Sequence, residues 1–167
     1  MNPSCNRIFA AGALALALAF GASAPAAADA DVVTVADAGI VKVRSAYSRA
    51  ETIARLKQDV AAKGIRFFQE IDQSMLAADA GIEVRPSTLL VFGNPPLGTL
   101  FIQSNPLAGL DWPVRLLVFE DERGEVWTAY TDFAYIAQRH HIEGMDVEAF
   151  RKASGVIASI TSSVRPQ

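Results

Sequence analysis

From residue 41 the chain alternates in character: Val41, Val43, Ser45 and Tyr47 are interleaved with Lys42, Arg44 and Ala46. A period of two with the charges on one side predicts a strand wetted on one face. Ser48 and Glu51 then form the S-x-x-E pattern of a capping box, and Ile53, Leu56 and Val60 follow at helical spacing. Gly64 supplies the left-handed stop. IRFFQEID predicts a second strand, and SMLAADAG, closed by Gly81, a short helix. STLLVFG predicts a third strand, apolar on both faces and therefore central. VRLLVFEDERGEVWTAYT predicts a hairpin whose turn falls at Asp121–Gly124, with Gly124 free to take positive φ. DFAYIAQRHH predicts a short helix. A longer one follows, capped by Asp146, with the stripe Val147, Phe150, Ala153, Ile157, Ile160 and Val164.

The order is strand, helix, four strands, helix. Strands joined by hairpins pair antiparallel, and amphipathic helices must bury their stripes against a sheet. The expected fold is therefore α+β, in two layers, with a largely antiparallel sheet and the helices packed on one face. That leaves the other face either wetted, as Lys42 and Arg44 suggest, or covered in a homodimer, as the apolar third and fourth strands suggest. One connection is long. In VFGNPPLGTLFIQSNP (91–106), prolines end the pairing of the third strand and Gly98 allows a further turn. The run Leu100-Phe101-Ile102 is expected to lie on the sheet, and long connections of this kind often carry binding sites.

The first 28 residues have the layout of a secretory leader: Arg7, an apolar run over Ile8–Phe20, then small residues at Ala24, Ala26 and Ala28. The run is too short to cross a hydrocarbon layer, which needs about 20 helical residues. Cleavage is expected near Ala26 or Ala28, leaving no stable membrane anchor and a periplasmic or secreted product. Residues 29–39 are expected to form a flexible lead-in, and residues 40–167 a single domain. Cys5, the one cysteine, lies in the leader. The mature chain would hold no disulfide, thiol nucleophile or Cys-ligated metal. The formal charge of −3 is spread without a basic run, which argues against nucleic acid as a partner.

The segments RPSTLLVFGNPPLGT and DWPVRLLVFEDERGEVWTAYTDFAYIAQRH, with EID upstream, resemble the bacterial family called domain of unknown function 302. The resemblance runs colinearly from about Ile40 to His141 and implies the same strand, helix, four strands, helix arrangement, without an assigned activity. The chain departs from the family pattern in three places. Gln73 stands where a His commonly follows the motif Asp, Leu100-Phe101-Ile102 stand where Pro-Leu-Met is common, and His141 replaces a common Gly.

Candidate chemistry is sparse. The chain has two histidines, His140 and His141, and His140 shares a helical stripe with Phe133, Ile136 and Ala137. Adjacent histidines diverge by about 100° on a helix, so the pair is poorly placed to chelate one metal. His140 is read first as a hydrogen-bonded residue at the core edge, and otherwise as a metal or haem ligand or an acid/base group. The two halves of the family motif would then make Asp72 its carboxylate partner. No nucleophile elbow or phosphate-cradling loop occurs, and Glu120, Asp121 and Glu122 read as solvated turn residues. Arg115, in an apolar strand, either extends to the edge or binds an anion or a carboxylate such as Asp111. Trp127 reads as sheet packing or as the wall of a pocket. The expected function is thus that of a non-catalytic ligand-binding or interaction module, for a small molecule or a protein partner. Asn94, Thr99, Arg115, Trp127 and His140 are its candidate ligand-binding residues. A metal or haem protein using His140, and an enzyme using Asp72 with His140, are the alternatives; no cofactor is assigned.

Overall fold

A computed structural model of the chain describes residues 32–35, 38–142 and 147–166. The expected leader, residues 1–28, and the expected cap Asp146 lie outside the described residues. One six-stranded sheet, antiparallel throughout, carries β1 (Val32–Val35), β2 (Ile40–Arg44), β3 (Arg66–Asp72), β4 (Ser87–Gly93), β5 (Val114–Glu120) and β6 (Val126–Thr131). Its order is β1-β2-β6-β5-β4-β3. All five expected strands are present. The stretch expected as a lead-in adds the sixth, because Val32–Val35 pairs with Val43–Ile40 along the free edge of β2. β2 stops at Arg44, short of its expected end. The chain turns inward there, and the hydroxyls of Ser45 and Thr52 meet at 2.6 Å.

The helices are α1 (Arg49–Ala62), α2 (Gln73–Asp79), α3 (Pro95–Ser104), α4 (Phe133–Arg139) and α5 (Val147–Ser162). Ser48 caps α1 by accepting the Glu51 N–H at 3.3 Å. The reciprocal half of the expected capping box is replaced, since the Glu51 carboxylate accepts from Arg55 instead, at 2.9 and 3.0 Å. Gly64 and Gly124 take φ of +66° and +75°, the left-handed values a helix stop and a hairpin turn require. In that turn Asp121 Oδ1 accepts the N–H groups of Arg123 and Glu125, both at 2.9 Å.

The core lies between one face of the sheet and the helices. Leu90, Phe92, Leu116, Val118 and Tyr130 meet Ile53, Leu56 and Val60 of α1 and Ile157 and Ile160 of α5. The opposite face is apolar and half-buried in its central strands. Its Lys42 side chain lies over the rings of Phe119 and Trp127, with Nζ 5.3 and 4.6 Å from their centroids. β3 forms one edge of the sheet and bulges between Phe67 and Gln69, which turns Phe68 out of register.

The principal difference from expectation is α3. Pro95 and Pro96 end the pairing of β4, as anticipated, and then occupy the first turn of a helix. The N–H that proline lacks would have no intrahelical partner at that position, so two prolines open a helix there at little cost.

Candidate functional site

The connection from β4 to β5 builds a roof over the end of the sheet. After Gly93, Asn94 occupies the N-cap of α3 without a side-chain capping bond. On α3, Phe101 is buried and packs on Phe133 of α4, ring centroids 5.7 Å apart. Gly98 faces the Trp112 indole so closely that a Cβ there would lie 1.7 Å from Nε1, and a Cβ at Gly93 would lie 3.0 Å from the same ring. The ring is therefore held against two glycines, and its edge meets Phe68 at 6.2 Å. This is the close backbone approach for which glycine is suited.

Beyond α3 a 3-10 turn, Pro106–Leu110, carries the chain to Asp111. Asp111 and His140 are both buried, and Oδ2 of the carboxylate accepts from His140 Nε2 at 2.5 Å. Oδ1 accepts from Arg115 Nη2 at 3.1 Å, and Arg139 Nη1 approaches the carboxylate at 3.4 Å. Arg115 Nη2 also donates to the Leu110 carbonyl at 3.0 Å, and Asn105 Nδ2 donates to the His140 carbonyl at 2.6 Å. The cluster ties the 3-10 turn, the start of β5 and the C-terminal end of α4 together. It joins groups that a buried carboxylate needs around it.

Between α3, α5 and the sheet is an apolar cavity. It is partly open to solvent and holds about 40 Å³ of space. Ile65, Phe92, Leu97, Phe101, Trp112 and Ile157 form its principal walls, and Asn94 lies at its rim. That space exceeds the roughly 15 Å³ needed for one water, but the walls offer few polar partners.

The structure distributes the expected site residues over separate places. Asn94 is exposed beside the cavity. Thr99 is exposed on α3, where its hydroxyl donates to the Pro95 carbonyl at 2.8 Å. Arg115 takes the second of its expected places, on Asp111. Trp127 lies away from this region: it pairs with Phe119, five residues along β5 from Val114, roughly 17 Å at about 3.3 Å per residue. Its Nε1 donates to Asp121 Oδ2 at 3.0 Å.

The Asp72–His140 pairing is not formed. Asp72 lies opposite Thr88, itself opposite Val118, and bonds to Ser74 Oγ at 2.6 Å and the Met75 N–H at 3.0 Å. Its remaining neighbour is Arg49, at 3.5 Å. The carboxylate at His140 is Asp111, 29 residues earlier, which no local spacing identifies. α4 ends at Arg139, so the helical angle does not govern this pair: His140 is the buried C-cap, and His141 is exposed and left-handed at φ +48°. Among the described residues no three His, Cys, Asp or Glu side chains come together as a metal would require. Arg139 and Asn105, which complete the cluster, carry no sequence signal of their own.

The bonds from Ser74 and Met75, with Arg49 beside them, hold the Asp72 carboxyl below its ordinary value of 3.8. A carboxyl lowered by folding adds stability above its unfolded value, and that stability fades as pH falls through the folded one. Asp72→Asn should accordingly flatten the acid limb of stability against pH below about pH 4 and leave the neutral region's slope unchanged, as urea titrations at stepped pH would show.

Comparison with known proteins places these observations. The family model described as domain of unknown function DUF302 matches residues 41–160. The chain is 39% identical over 111 residues to the fluoride-specific ion channel FluC 1 of Brucella suis, covering 66% of this chain and 44% of that protein. It is equally similar to FluC 1 of Brucella abortus, of which 41% is covered. The chain thus spans less than half the length of these relatives. None of the described helices is long and apolar enough to cross a membrane. A DUF302 crystal structure from Bacillus stearothermophilus has the same fold, with a TM-score of 0.69 at 17% identity, covering 76% of this chain and 98% of that one. The strand order, the matched span and the shared fold agree: this chain belongs to the family of domains of unknown function DUF302.

Proposed function

We propose that the protein is a non-catalytic binding module, exported to the periplasm, that holds a small apolar group under α3. The observation that carries this reading is the cavity: a mouth at Asn94 and walls of Phe92, Leu97, Phe101, Trp112 and Ile157. Concave sites with apolar walls and a few polar groups are the usual form of small-molecule sites, and about 40 Å³ of space limits the occupant here to a small group. The neighbouring titratable groups support binding over catalysis, since Asp111, His140 and both arginines engage one another. The ligand class is an apolar tip, such as a short branched chain or the edge of one aromatic ring, with a polar head left at Asn94.

The test titrates the mature protein with 3-methylbutan-1-ol, a short branched chain with a polar head, in a Trp127→Phe background, so that Trp112 is the sole indole. Saturable binding that changes Trp112 emission, and that Leu97→Trp weakens at least tenfold by filling the cavity, is expected. Absence of saturable binding, or binding indifferent to Leu97→Trp, would sink the reading.

A second reading rests on the Brucella relatives. There the matched part accounts for under half of proteins named fluoride-specific ion channels, which supports this domain acting as an accessory to such a channel. A deletion strain with unaltered growth across a fluoride series would remove that reading and leave the first standing.

A further inference from the structure

The sheet face away from the helices is built as a surface. Register places Ile71, Leu89, Leu117 and Ala129 side by side across four neighbouring strands. Val91 and Phe119 flank this row on the same face, one pleat to either side. All six are half-buried, none fully. A contiguous apolar row over four adjacent strands, from the edge strand β3 to β6, is the feature that marks an interaction surface, whereas scattered exposed apolar residues are ordinary.

Charge is distributed unevenly along the strands. At one end of the face stands Arg115, its side chain 51% exposed, with one amino group spent on Asp111 and Leu110. At the other end the β5–β6 turn bears Glu122, exposed, beside a groove walled by Pro86, Leu117 and Phe119, where Glu120 and Asp121 outnumber the one cation, Arg85. We infer that this face is the interface of a homodimer whose two-fold axis lies between the sheets and runs across the strands.

The pattern selects that axis. A two-fold across the strands reverses strand direction in the second copy while stacking the central row upon itself. Leu117 then meets the partner's Leu117. Arg115, two residues before it, comes over the partner's Phe119, two residues after, with its free amino groups toward the partner's Glu122. Each contact occurs twice, as an isologous interface demands, and the guanidinium gains a carboxylate. An axis along the strands would instead set Glu122 against Glu122 and Arg115 against Arg115. Sheets so stacked sit about 10 Å apart, with their inner side chains interdigitated. Lys42 and Arg44, at the β2 side of the face, remain as a wetted rim.

The experiment measures the mass of the mature protein by light scattering over a micromolar concentration series, with three variants. A dimer is expected. Leu117→Arg should raise its dissociation constant by at least about 30-fold, the loss typical of a central anchor, with circular dichroism checking that the fold survives. Since the mature chain has no cysteine of its own, Leu117→Cys should be joined to its twin by a short bis-maleimide, while Lys57→Cys, on the helix layer, should stay unlinked. Monomeric wild-type protein overturns the inference. So does a dimer whose Leu117→Cys form is not joined, which would put another surface or another covering segment in its place. Neither result bears on the cavity, which lies on the opposite side of the sheet.

Discussion

Asp111→Ala is expected to destabilise the protein by about 3–5 kcal/mol, the loss found when one partner of a buried ionic cluster is removed. Three cationic or potentially cationic groups converge on this carboxylate. They are not equivalent. Arg115 and Arg139 have half-exposed side chains, and solvent screening leaves such pairs worth under about 1 kcal/mol each. His140 is buried, and its Nε2 would lose its only recorded side-chain partner. Most of the loss therefore comes from the histidine and from release of the segment it anchors. Asp111→Asn keeps an acceptor at similar reach and should lose less, near 2 kcal/mol. Urea unfolding followed by circular dichroism measures both. A loss under 1 kcal/mol for the alanine variant would mean that water replaces the carboxylate and that the cluster does not hold the roof in place.

Gly98→Ala is expected to cost about 2 kcal/mol, although alanine is the better helix former by up to about 1 kcal/mol. The new methyl would lie 1.7 Å from Trp112 Nε1 and 1.9 Å from Cε2, so ring and helix must separate by nearly 2 Å. Retreat of the indole is limited on two sides, by Gly93 near Cζ2 and by the Phe68 ring. Overpacking of this kind typically costs 1–3 kcal/mol. The same separation widens the mouth of the cavity and moves Trp112 toward water. Thermal melts and a red shift of Trp112 emission, read with Trp127→Phe present, check both consequences together. A stabilised Gly98→Ala protein would show that the ring is free to move and that α3 is a loose lid.

What could be read in the chain was local. Ser48, Gly64, Gly81 and Gly124 act on the residue or two beside them, and each does in the structure what its type implies. The hydrophobic periods likewise placed five strands, because the sheet is central and apolar enough for its pattern to stand out. The failures are of two kinds. Pro95-Pro96 reads equally as the end of a strand and as the first turn of a helix, and only the packing of Phe101 on Phe133 decides between them. Val32–Val35 is short and belongs to the edge, where pairing with β2 makes a strand. The site was less legible still. Arg115 beside Asp111 is a four-residue relation and could be anticipated. His140 with Asp111 joins residues 29 positions apart across an intervening hairpin. The family motif suggested Asp72 as the histidine's partner, but that residue's hydrogen bonds were already committed to the start of its own helix.

The bulge at Phe68 bears on how the protein behaves when crowded. A strand at the margin of a sheet offers unpaired backbone groups to any similar strand, and end-to-end growth of that sort leads to insoluble fibres. On β3 the ladder is interrupted in mid-strand, and the residues around the break include Arg66, Gln69 and Glu70, all exposed. A second chain laid alongside would find its register broken after Phe67 and charge on either side. On this margin, lateral growth of the sheet is blocked, and a concentrated solution has one less route to the precipitate.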